Sequence, residues 1–187
     1  MITSKKLLKH KKINHGFFNK DGGKSSGIYK SLNCGIGSND KKTNILKNIK
    51  YVTKKMGCKK NSLITLKQVH SNKIIYFKSY KSIKNKIRGD AIVTKVKNTP
   101  IGILTADCVP ILLYEPQKKI IGCIHSGWKG AFNGVIKNTI QKFKKLNSNI
   151  NELTVAVGPC IGKKSYEVKK DFYQKFINKN YKNKIFF

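Results

Sequence analysis

Arginine is nearly missing from this chain of 187 residues: Arg88 stands alone among 40 basic residues, and lysine supplies the rest. Acids are few as well, 8 in all, so the formal net charge is +32. Such a charge would ordinarily suggest nucleic acid or an anionic membrane as partner. Proteins that read bases and phosphate lean on arginine's planar fork, however, and a lone arginine argues against a dedicated reader. The lysines run along the whole chain beside abundant Asn and Ile, and all three share A- and T-rich codons. Genome composition therefore accounts for the charge without a ligand. The alternative is weak, nonspecific adhesion to polyanions through counterion release.

Other absences narrow the class further. No apolar stretch approaches the ~18 residues of a membrane span. The basic start, MITSKKLLKHKK, has no apolar run behind it and so does not read as a signal peptide. The 5 cysteines are odd in number and lack the dense spacing of a secreted scaffold, which points to a reducing compartment. The expectation is a soluble, cytoplasmic protein with no membrane partner and no specific nucleic-acid partner. HExxH and GxxxxGK[ST] are absent, and the G-x-G of CGIGS follows no clear strand. The zinc-deaminase signature is absent too. No histidine is followed two positions on by Glu, and GPCIGK lacks the second cysteine of PCxxC.

What is present reads as one domain over residues 1–187, a length able to bury a substantial core. Residues 13–40 are rich in Gly, Ser and Asn and predict short strands and loops. Ile45, Ile49, Val52 and Met56 recur at helical spacing over 43–56, with Asp40 or Thr43 as cap and Gly57 as stop. Strand-like runs follow at 63–69, 74–77, 91–93, 101–105, 111–114, 120–125 and 153–157. A long amphipathic helix is predicted over 128–146 and another over 168–181. Strands outnumber helices and often follow each other directly, so a mixed-sheet α+β fold is favoured over a strict βαβ array.

Three residues far apart in the chain, His70, Cys108 and His125, each end an apolar run beside breakers: LITLKQVHS, GILTADCVP and IIGCIHSGW. Strand ends are where folds place chemistry. A His/Cys/His set suits zinc, with copper as the alternative, and leaves a fourth position open for water or substrate. Each residue also has a plain structural reading: a hydrogen-bonded histidine, or an inert buried thiol. Period-two alternation puts Gln68 and His70 on one face of a strand, and Cys123 and His125 on one face of another. Asp90 in RGDAIVT and Asp107 beside Cys108 border the same three positions. Either carboxylate could orient a metal-bound histidine, act as general acid or base, or simply cap a turn.

The motifs LKQVHS, GDAIVT, TADCVPILLYEP, GCIHSGWKG and VGPCIG occur in this order, preceded by DGGKSSGIYKSLNCGIGSND. Together they resemble the laccase-domain family, also described as multicopper polyphenol oxidoreductases, from about His15 through Val168. Bacterial members are described as purine nucleoside phosphorylases and some as peptidoglycan editing factors. The resemblance implies a four-layer α/β/β/α sandwich of mixed sheets, related to putative cysteine hydrolases. It also implies that His70, Cys108 and His125 are the metal ligands.

By the same resemblance the expected activity is a zinc-dependent purine nucleoside phosphorylase acting on adenosine, inosine or methylthioadenosine with phosphate, with adenosine deamination as a second activity. Asp90, Asp107 and Cys108 are the expected catalytic residues, and Gln68 and Lys129 the expected substrate-binding ones. Lys129 stands where the family motif HxGWRG has arginine, which keeps the charge and loses the bidentate fork. Three other classes stay open. A Cys108–His125 dyad could hydrolyse an amide in a peptidoglycan precursor, copper in the same cage could oxidise phenols, and a degenerate chain could bind without catalysis. Typical members continue beyond the point where this chain stops, into a segment with further arginines. A monomer, or self-association through the apolar end KIFF, is the corresponding expectation.

Overall fold

Most of the predicted apolar runs become strands of one sheet. The computed structural model describes residues 1–58, 60–80 and 87–187. In chain order the regular elements are α1 (Lys5–Leu8), α2 (Lys42–Lys55), β1 (Ile74–Phe77), β2 (Ala91–Thr94), β3 (Val109–Glu115), β4 (Ile120–Ser126), α3 (Trp128–Phe132), α4 (Val135–Lys145), β5 (Thr154–Val157) and α5 (Lys170–Lys179). The strand order is β1-β2-β4-β3-β5. β1 and β2 run parallel, and every other neighbouring pair is antiparallel. The α+β class and the mixed sheet are therefore as expected. Where the resemblance implies two sheets, the described residues form this one five-stranded sheet and three isolated bridges, Ile2–Phe17, Ile64–Ile101 and Lys67–Arg88.

The central strands are covered on both faces, which is why they read as continuous apolar runs. On one face Ala91, Val93, Ile111, Leu113 and Ile124 pack against Val135 and Phe143 of α4. On the other, Ile92 and Cys123 pack against Ile64, Leu66 and Phe77, with Ile101 and Ile103 alongside. A third cluster seats Cys34 under Ile45, Ile49 and Val52 of α2.

Two expectations change. The helix predicted over 128–146 is interrupted, because Asn133 and Gly134 separate α3 from α4 and Gly134 takes φ +84. Glycine adopts that left-handed conformation without the steric cost a side chain would meet. The break lets the two halves face different neighbours. Val135, Thr139 and Phe143 are buried on the sheet, while Trp128 and Phe132 pack edge-on against Phe172 and Phe176 of α5. The strands expected at 63–69 and 101–105 are extended segments that form isolated bridges, Ile64 with Ile101 and Lys67 with Arg88, rather than ladders. Their side chains still supply the core, so the apolar pattern was real but its hydrogen-bonding partner was not a neighbouring strand.

Candidate metal centre and its surroundings

Antiparallel pairing brings strand ends of opposite direction to one rim of the sheet. Asp90 immediately precedes β2, Cys108 immediately precedes β3, and His125 lies near the end of β4 opposite Pro110. His70 sits in the loop leading to β1, which runs parallel to β2. The register alone thus gathers residues separated by dozens of positions in sequence. The donor atoms of His70, Cys108 and His125 all lie within 4.8 Å of one another. Cys108 Sγ stands 3.8 Å from His70 Nε2, and the two imidazole rings meet edge-on with centroids 4.7 Å apart. Among the described residues this is the one His/Cys/Asp/Glu group with donors so close.

Asp90 builds the cluster. Its buried carboxylate accepts from three successive backbone N–H groups, Val69 (3.2 Å), His70 (2.9 Å) and Ser71 (2.7 Å), and from the Ser71 hydroxyl (2.7 Å). It also faces His125 Nδ1 at 2.8 Å. Chelation of those N–H groups curls the loop and holds His70 at φ 57, a conformation few side-chain-bearing residues adopt. The alternation expected for Gln68 and His70 on a strand face fails here, because the chain leaves extended geometry at His70. Burial alone would raise the Asp90 carboxyl pKa. The bonds from the Ser71 side chain, His125, and the Ser71 and His70 backbone outweigh it and hold the pKa below the usual carboxylate range. An ionised Asp90 accepts only, so His125 Nδ1 is the donor in this pair.

A close approach completes the cradle. A Cβ built on Gly127 would fall 2.6 Å from His70 Cδ2 and 3.0 Å from Cys108 Sγ. Only glycine lets the chain pass this close behind two of the three donors. Donor chemistry, proximity and the orienting carboxylate all fit a divalent metal held by two imidazoles and a thiolate.

The other residues expected at the site fare differently. Gln68 spends its amide on the backbone of Leu104, donating to the carbonyl and accepting from the N–H, both at 2.7 Å. That pairing ties the 63–69 and 101–105 segments together. Lys129 is exposed, with its Nζ 5.5 Å from the centre of the Trp128 ring. Asp107 is exposed beside Cys108, and its backbone carbonyl accepts from Ile161 N–H at 3.0 Å. The expected Cys108–His125 dyad is rearranged: the imidazole in hydrogen-bonding range of the thiol belongs to His70, while His125 is paired with Asp90. Burial, then the charges of Asp107 and Asp90, raise the Cys108 thiol, the opposite of what a metal-free nucleophile needs.

Sequence reasoning passed over Ser71 and Gly127. Each directly follows a candidate ligand or its strand in sequence, and that adjacency was the available signal.

The chain is similar to known proteins along most of its length. A purine nucleoside phosphorylase of Rickettsia prowazekii is 34% identical over 181 residues, covering 97% of this chain and 71% of that protein. One from Clostridium acetobutylicum is 44% identical over 95 residues, covering 50% of this chain and 39% of that protein. Among solved structures, Neisseria meningitidis protein NMB0706 superposes with a TM-score of 0.77 at 26% identity, covering 89% of this chain. YlmD from Geobacillus stearothermophilus superposes with a TM-score of 0.78 at 24% identity, covering 85%. This chain spans 65% and 62% of those two structures respectively. The model of the family described as multi-copper polyphenol oxidoreductase laccase matches residues 14–187, and with the relatives above it makes this chain a member of that family.

Proposed function

We propose that this chain is a zinc-dependent purine nucleoside phosphorylase whose metal is held by His70, Cys108 and His125. The observation that carries the reading is the Asp90-organised cluster, with three donor atoms within 4.8 Å at one rim of the sheet. Relatives named purine nucleoside phosphorylase support the substrate class. Bound zinc would supply Lewis acidity at an open fourth position.

The remaining work falls to the chain's own side chains. A phosphate oxygen attacks the ribose anomeric carbon. The glycosidic C–N bond breaks with its electrons passing to the purine, which takes up a proton and leaves ribose 1-phosphate. Asp90 is a positioning residue in this scheme, because its donors occupy the lone pairs a general acid or base would need. Asp107, exposed beside Cys108 and without a hydrogen bond to its carboxylate among the described residues, is the group left to hold that proton. Lys129, whose Nζ lies 5.5 Å from the centre of the Trp128 ring, would meet phosphate in this scheme.

The metal-free amidohydrolase reading is disfavoured by the raised Cys108 thiol. Elemental analysis of purified protein tests the assignment. We expect about one zinc per chain, lost in Cys108→Ala and His70→Ala variants that keep their fold. Equal zinc in wild type and Cys108→Ala would remove it.

A further inference from the structure

The β3–β5 register continues past the strands toward the candidate metal centre. Within the sheet Ile111 faces Val157 and Leu112 faces Ala156. Beyond it, Gly158 N–H donates to Pro110 O at 2.9 Å and Ile161 N–H donates to Asp107 O at 3.0 Å. Between those two hydrogen bonds lie only Pro159 and Cys160 on one segment and Cys108 and Val109 on the other. Cys160 and Cys108 are therefore the facing residues next to the Ile161–Asp107 bond. The β3–β5 register carried on to these two bonds keeps Cys108 opposite Cys160, the placement that a disulfide across two antiparallel segments requires.

The other three cysteines are placed elsewhere. Cys34 and Cys123 are buried in separate core clusters. Cys58 lines a cavity with Lys95 and Lys119, at the opposite end of the sheet from His125. Cys160 is exposed and Cys108 half-buried, so the pair is open to small oxidants from the solvent side.

We propose that Cys108 and Cys160 form a reversible thiol–disulfide modification site that removes the sulfur ligand from the His70–Cys108–His125 centre. The oxidant is a peroxide. Cys160 sulfur, the more exposed of the two, attacks the peroxide O–O bond, giving a sulfenic acid and one water. Cys108 sulfur then displaces the second oxygen as water, so two thiols and one hydrogen peroxide become a disulfide and two waters. The disulfide holds no thiolate, and two histidines alone bind metal far less tightly. The consequence for metal rests on the zinc reading above; the disulfide itself does not.

The experiment treats the full-length protein with hydrogen peroxide, both metal-stripped and zinc-loaded, alongside Cys160→Ser. Peptide mapping follows the thiols and a chromophoric chelator follows released zinc. In wild type we expect a Cys108–Cys160 linked peptide, an intact mass lower by two hydrogens, and loss of bound zinc, all reversed by dithiothreitol. Cys160→Ser should load zinc as wild type does and keep it at a peroxide dose that empties the wild type. Zinc lost at equal rates from both proteins, with no linked peptide, would overturn the proposal. A linked peptide in protein that never loads zinc would uphold the thiol pair and sink the metal assignment instead.

Discussion

Replacing Asp90 by Asn isolates the device that organises the site. Oδ1 accepts from His70 N–H and His125 Nδ1, while Oδ2 accepts from Ser71 N–H and the Ser71 hydroxyl. Asparagine keeps the shape but can place an oxygen on only one side. Its amide would then point at Ser71 N–H, or in the flipped orientation at His70 N–H and His125, so a donor meets a donor at 2.7–2.9 Å. About two hydrogen bonds to a charged group are lost, at ~1.5–3 kcal/mol each, which gives a cost of roughly 3–6 kcal/mol. That is a large share of the ~5–15 kcal/mol that holds a domain together. Urea unfolding of metal-stripped wild type and Asp90→Asn measures it, with Asp171→Asn as an exposed control expected to change little. The pH dependence supplies a second check. Because the folded carboxyl pKa is lowered, the contribution is present above the ordinary Asp range and is lost as pH falls through the folded value. Wild-type stability should therefore drop in acid with a slope that Asp90→Asn lacks. An Asp90→Asn cost within about 1 kcal/mol, the net worth of a single ordinary hydrogen bond, with unchanged acid sensitivity, would refute the organising role.

Gly127→Ala should weaken metal binding by about tenfold or more while leaving the secondary structure intact, since its methyl must displace His70 or Cys108; metal titration followed by competition reads this directly. Iodoacetamide on native metal-free protein should label Cys160 first and Cys108 more slowly. Cys34 and Cys123 should resist it, because burial pushes their thiols up to about 11 and about 12; peptide mapping decides, and early labelling of Cys123 would contradict the core packing. The scattered lysines should hold polyanions weakly and release them steeply with salt, so a filter-binding series should show no sequence preference and little binding at physiological ionic strength; a tight complex with one defined RNA there would reverse the reading of the charge.

Much of the fold was legible because the sheet is buried on both faces. Runs such as AIV and VPILL have no reason to be apolar throughout unless covered twice, and the predicted bounds of β1, β2, β4 and β5 lie within a residue or so of the observed ones. The 63–69 and 101–105 segments misled for the same reason. Ile64, Leu66 and Ile101 are apolar because they cover the sheet, a role that period-two patterning cannot tell from strand pairing. The break at Gly134 was visible as a glycine but not as a left-handed one, since helices tolerate an isolated glycine.

At the site, the three donors could be picked out from strand ends and breakers, yet their meeting depends on a register no local pattern encodes. Asp90 stood out in a chain with only 8 acids, but its work on three consecutive N–H groups was not legible. The clasp of Gln68 on Leu104 was equally illegible, because it joins segments 36 positions apart.

Product identity is the most direct test of the central claim. Zinc-loaded protein incubated with adenosine should release adenine and form ribose 1-phosphate in equal amounts, only when inorganic phosphate is present, and Cys108→Ala should form neither. Adenine released at the same rate without phosphate, with free ribose as co-product, would make water the nucleophile and contradict the account.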